Sequence, residues 1–173
     1  MRRRLLSLFA DRSGSAAVEM VLVLPILLAL MLGAVDVGNF FLSEHVVDKA
    51  VRDAARYAAR LPLADYANCA VPSGGPAEQQ TQRVARFGEP GGTGNARLVG
   101  WTADSMTTVT ISCDDGTTGN SWATAGIYTD FPRGAPTVTV SAIVPYNSFF
   151  GALGLGKLTA NLNSQSQAAV IGA

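Results

Sequence analysis

Apolar and polar positions alternate in three different ways along the chain, and each pattern predicts a different element. From Met20 to Val35 no charged residue occurs, and the longer stretch Ser13 to Val35 contains only Glu19. At 1.5 Å per residue that stretch reaches about 34 Å as a helix, enough to cross a hydrocarbon core of roughly 30 Å. A membrane-spanning helix is expected there. Pro25 lies inside it; lacking an N–H and crowding the preceding turn, it predicts a kink in the span.

From Val37 to Leu61 the period becomes that of an amphipathic helix. On a 100° wheel, Glu44, His45, Asp48, Lys49, Arg52, Asp53, Arg56 and Arg60 share one half. Val46, Val47, Ala50, Val51, Ala54, Tyr57, Ala58 and Leu61 fill the other. Lys49 with Asp53, and Asp48 with Arg52, have the i,i+4 spacing of helical ion pairs. Pro62 ends the helix. The small, Ala-rich apolar side predicts a sheet of the same chain lying close upon it.

Beyond Pro62 the pattern turns to period two. Strands are expected at Arg97 to Trp101, at Met106 to Cys113, at Thr137 to Val144 and at Leu158 to Val170. Val109, Ile111 and Cys113 share parity, as do Val138, Val140, Ala142 and Val144, and Leu162, Ala168 and Val170. Ala77 to Phe87 reads as a short surface helix and Gly88 to Ala96 as a Gly-rich connection. The expected fold is α+β: a long N-terminal helix, kinked at Pro25, packed against an antiparallel sheet of about four strands. The expected divisions are a basic leader 1–14, a transmembrane helix 15–36, an amphipathic extension 37–61 and a β-rich domain 62–173.

Charge sharpens the membrane reading. The 173 residues carry thirteen basic and thirteen acidic side chains, but Arg2, Arg3, Arg4 and Arg12 precede the apolar run. Asp36 and Glu44 come first after it. That asymmetry places the N-terminus in the cytoplasm and the β-rich domain on the far side of the membrane. A cleaved signal peptide is the competing reading. It fits less well, because the run is long, lacks a small-x-small site and continues into helix through Asp36. A chain cut after Gly14 keeps nine basic and twelve acidic residues, about −3, and no clustered positive face for nucleic acid. Cys69 and Cys113 both fall in the far-side domain, where disulfides persist. A bridge between them is expected, with two buried free thiols as the alternative.

Little in the chain points to catalysis. It has no GxSxG, HExxH, P-loop, CxxC or Gly-rich dinucleotide pattern, and its one histidine, His45, lies on the solvated helix face. No enzyme activity, cofactor or metal is expected. Asp114, Asp115, Asn120 and Asp130 lack EF-hand spacing and read as turn-forming residues. Phe149, Phe150, Leu153 and Leu155 are expected to cap the core; with Trp122 they are also the first candidates for partner contact.

Glu19 needs an explanation of its own, because a carboxylate within apolar sequence is costly unless it is paired or sits near the interface. A cut after Gly14 makes Ser15 the N-terminus and puts its α-amine one helical turn from Glu19, so that each can pair with its counterpart on a neighbouring subunit. Gly14, Ser15 and Glu19 are therefore the candidate processing site. Glu19, Pro25 and Gly33 are the candidate positions for helix packing.

A Gly cut site, small residues and a glutamate fifth in the mature chain resemble the type IV prepilin class, which a membrane prepilin peptidase processes. More closely, Arg12, Gly14, Ala17, Val18, Glu19, Leu24, Pro25, Gly33, Asp36 and Gly38, with the later AVRDAARYAAR, resemble the TadE-like family of minor pilins or pseudopilins of tight-adherence (Tad/Flp) pili. Met20 departs from the aromatic residue common at its position. The resemblance covers about fifty residues. It implies a subunit needed for pilus assembly and held in the bacterial inner membrane, with the prepilin peptidase, other pilin-like subunits and the Tad assembly machinery as partners. An uncleaved membrane-anchored scaffold of the pilus or of a secretion machine is the second reading, and a displayed enzyme or ligand-binding domain is the third.

Overall fold

The structure is a computed structural model that describes residues 15–70, 73–116, 124–131, 133–152, 154 and 160–172. The basic leader, Gly14, Trp122, Leu153 and Leu155 lie outside the described residues. Contacts divide the chain into two units, residues 1–39 and residues 40–173. The helix α1, Ser15–Ala59, contributes to both.

In the first unit most of the apolar run of α1 is exposed, whereas Asp36 just after it is buried. Val21, Leu22, Leu30 and Met31 are each about two-thirds exposed, and no part of the most apolar window is buried. Helix continues on both sides of Pro25.

The second unit is built on the remainder of α1. Val47, Ala50, Val51, Ala54, Ala55, Ala58 and Ala59 are buried, following the i, i+3, i+4, i+7 repeat of one helix face. Over them lies a three-stranded antiparallel sheet of order β1-β2-β3, made of β1 (Thr107–Asp114), β2 (Ala135–Pro145) and β3 (Asn161–Ala169). The register pairs Val109 with Val140 and Val140 with Ser166. Val109, Val138, Val140, Ala142, Val144 and Leu162 therefore point to the same side and join the alanines in one core. Apart from the exposed Ile143, mostly Thr, Ser, Asn and Gln take the alternate positions, as in a half-buried antiparallel sheet. Phe40 meets Tyr146 edge to face at 5.2 Å and extends this core along the helix.

Two features differ from the expected pattern. Residues 97–101 form a turn rather than a fourth strand, closed by Trp101 N–H donating to Leu98 O at 3.0 Å. Gly100 explains the tightness: a Cβ there would lie 2.2 Å from Pro145 O, so only glycine lets the turn sit against the end of β2. The short helix α2, Pro76–Phe87, is not a surface element. It buries Ala77, Thr81, Val84 and Ala85 and ends at Gly88, whose φ of 90° allows its N–H to reach Val84 O at 2.9 Å.

Arg86 at the end of α2 organises the turn beside it. Its Nε donates to Trp101 O at 2.8 Å, Nη2 to Thr102 O at 2.6 Å and Nη1 to Asp104 at 3.0 Å. Cys69 and Cys113 form a disulfide, with Cα atoms 5.9 Å apart, that joins the connection after α1 to the end of β1. Tyr66, buried in the same connection, donates to Ala58 O at 2.8 Å. Burial, and next the nearby Asp65 carboxylate, push its phenol up to about 12.

Candidate functional site

The first candidate surface is the apolar half of α1. Between Ala16 and Val35, Glu19 is the sole charged residue, and it is exposed. Helical geometry puts Glu19 on the same face as Ser15, one turn later. A methyl group added at Gly33 would meet nothing within 4 Å, so the chain itself does not use the close approach that this glycine permits. What the sequence supplies is a helix with an apolar surface all round and one carboxylate near its start. A helix of that kind is made for lipid or for other helices. Among the described residues it is the one helix long and apolar enough to cross a membrane.

Residues 14–56 match the family model of the TadE-like proteins. The TadE-like segment thus begins at Gly14, takes in Glu19, Pro25 and Gly33, and ends inside the buried half of α1. At a coarse level the match supports a pilin-like protein associated with Tad pili and anchored in a membrane. No curated protein and no solved structure matches the chain.

The charged face of α1 is divided between three uses. Asp48 Oδ2 pairs with Arg52 at 2.8 Å, as the i,i+4 spacing predicts. Asp53 instead pairs with Arg97 at 3.0 Å, across 44 positions of sequence, so the expected partner Lys49 is left exposed. Asp48 Oδ1 accepts from Ser164 Oγ of β3 at 3.1 Å.

His45 is exposed and lines an open cleft of about 250 Å³ together with Phe41, Glu44, Asp48, Asn163 and Ser164. Sequence patterning places the helical residues of this cleft but not the strand across from them, because nothing in the spacing says which edge of the sheet lies beside Asp48. Among the described residues no three His, Cys, Asp or Glu side chains are placed to hold a metal ion.

Of the other candidates, Asp114 Oδ1 accepts from Gly116 N–H at 2.9 Å, a local turn contact; Asn120 lies outside the described residues. Phe149 and Phe150 start the single-turn helix α3, Phe149–Ala152. Phe150 is half-buried and Phe149 is 45% exposed, so the pair covers the core only in part.

Proposed function

We propose that this chain is a minor pilin or pseudopilin required for assembly of a Tad/Flp pilus, processed by a prepilin peptidase after Gly14. The observation that carries the reading is the first half of the TadE-like stretch, Ala16 to Val35: an apolar helical surface that the described residues do not cover, with Glu19 as the one charge upon it. In lipid that surface is solvated by acyl chains. In a filament the same surface packs on neighbouring helices, where Glu19 neutralises the α-amine of Ser15 on an adjacent subunit. A charge-assisted pair in apolar surroundings is far stronger than one in water. It therefore favours one register of subunit against subunit.

Pro25 leaves one helical carbonyl without its usual donor, a soft point that eases movement of the helix from bilayer to filament. The Arg-rich leader keeps the N-terminus in the cytoplasm until the cut. The Cys69–Cys113 bridge fits a domain folded on the oxidising, far side of the membrane. The role is structural, and the reading assigns no reaction to the outer domain.

N-terminal sequencing of the membrane-extracted protein, with electron microscopy of surface filaments, tests this. A chain beginning at Ser15 is expected, and Glu19→Gln should be cut normally yet fail to support piliation. An intact basic leader in a normally piliated cell would overturn the proposal in favour of an uncleaved scaffold.

A further inference from the structure

β3 lies at the edge of the sheet, and nothing in its sequence protects that edge. Exposed edge strands usually carry Lys, Pro or a bulge, because their free N–H and C=O groups otherwise recruit another strand. NLNSQSQAA has no charge, no Pro and no Gly over nine residues. Alternate residues of such a strand, roughly four here, present both backbone groups outward.

The opposite edge is treated differently. β1 is flanked by α2, whose Gln82 Nε2 donates to Thr107 O at 3.1 Å, and its far end is tied by Cys113 to Cys69.

Among the described residues no further strand pairs with the β3 edge, and the open cleft meets it at Asn163 and Ser164, with Phe41, Glu44, His45 and Asp48 of α1 on the other side. Past the end of β3, Ile171 N–H donates to Ala59 O at 2.9 Å, so strand and helix close together there. The result is a groove between a sheet edge and a helix, the arrangement in which extended peptides add as a further strand.

The charges of the groove narrow the partner. No Lys or Arg lines the cleft. Asp48 is already committed to Ser164 and Arg52. Glu44 is half-buried and makes no hydrogen bond or ion pair among the described residues. A half-buried carboxylate without a partner is the group whose environment improves most when a cation arrives.

We propose that the groove between β3 and α1 binds an extended segment of a partner protein by strand addition, with one Lys or Arg of that segment seated against Glu44. The inner row of β3, Leu162, Ser164, Ser166 and Ala168, is short and favours small or apolar side chains at the partner's alternate positions. The outer row, Asn163, Gln165 and Gln167, favours uncharged ones. The groove belongs wholly to the outer domain, and its use does not depend on cleavage after Gly14.

The test uses the full-length, isotope-labelled chain in detergent micelles and a synthetic nonapeptide alternating Thr and Val with a central Lys. A second peptide carries Glu at the centre. The Lys peptide should shift the backbone amides of Asn161–Ala169 and slow their hydrogen exchange, and the Glu peptide should bind about tenfold more weakly. Glu44→Gln should weaken the Lys peptide roughly three- to tenfold and narrow its advantage over the Glu peptide. Three outcomes overturn the proposal: no perturbation of the β3 amides at millimolar peptide, equal affinity for the two peptides, or β3 amides that shift with protein concentration alone. The last would mean that a second copy fills the groove.

Discussion

Breaking the Cys69–Cys113 bridge by the double substitution Cys69→Ser with Cys113→Ser should remove about 4 kcal/mol from the stability of the sheet-bearing domain. The two residues are 44 positions apart. In the chain-entropy relation, closing a loop of that length lowers the entropy of the unfolded chain by about 13 cal/mol/K, which at room temperature is the figure just given. The loss of packing adds little, because both cysteines are only half-buried. The loop contains α2 and the Arg86-held turn, so the unfolded chain freed by the substitution is the part with the most local structure to lose. Urea unfolding of the full chain in micelles measures the effect. Trp101, which is fully buried, serves as the fluorescent reporter in a Trp122→Phe background. With a slope of about 1.5–2 kcal/mol per molar urea, the midpoint should fall by about 2 M, and the slope should rise as the freed unfolded chain exposes more surface. A fall of less than roughly a quarter of that, with the bridge verified in the parent, would refute the argument. It would mean that residual structure already confines this loop in the unfolded chain.

Two further outcomes follow from backbone and burial. Tyr66 is held neutral by its buried site up to about 12, whereas in the unfolded chain it ionises near 10. Its contribution is therefore fully present below pH 10 and is lost as pH rises from about 10 to about 12, on the order of 2 kcal/mol; ultraviolet titration should resolve one late phenol, and four coincident titrations near 10 would contradict it. Gly134 and Gly126 both have positive φ, 73° and 63°, but a Cβ at Gly134 would lie 1.7 Å from Asp114 O while one at Gly126 meets open space. Gly126→Ala should cost only the left-handed backbone penalty, about 1–2 kcal/mol, and Gly134→Ala distinctly more; equal thermal shifts would show that the β1–β2 pairing there yields easily.

Much of this architecture is legible in the sequence because one-dimensional periods report which side of an element is buried. The alanine face of Ala50, Ala54 and Ala58 and the alternation Val138, Val140, Ala142, Val144 can be read directly. Pattern fails where a contact depends on distant residues. Arg97 to Trp101 has the composition of a strand, yet Gly100 packs on Pro145 O and Arg86 holds the carbonyls of Trp101 and Thr102, so the segment turns. Lys49 has the right spacing for Asp53, but Arg97 reaches it from 44 positions away and forms the pair that the fold contains. Ala77, Thr81, Val84 and Ala85 follow helical spacing, and the short polar sequence around them masked a face that is buried. Gly14, Ser15 and Glu19, the residues proposed for processing, are legible as residue types, and the cleft is not, since it needs β3 placed beside α1.

The row of alanines along α1 has an evolutionary consequence. Because Ala50, Ala54 and Ala58 offer almost no side-chain relief, they ask of whatever lies above them only flatness and short branched residues, not a particular jigsaw of shapes. The TadE-like match stops at residue 56, on this featureless platform. A chain arranged in this way can exchange its strands, turns and surface chemistry while the helix below stays unchanged, so that new surface specificities are reached by grafting rather than by redesigning the core.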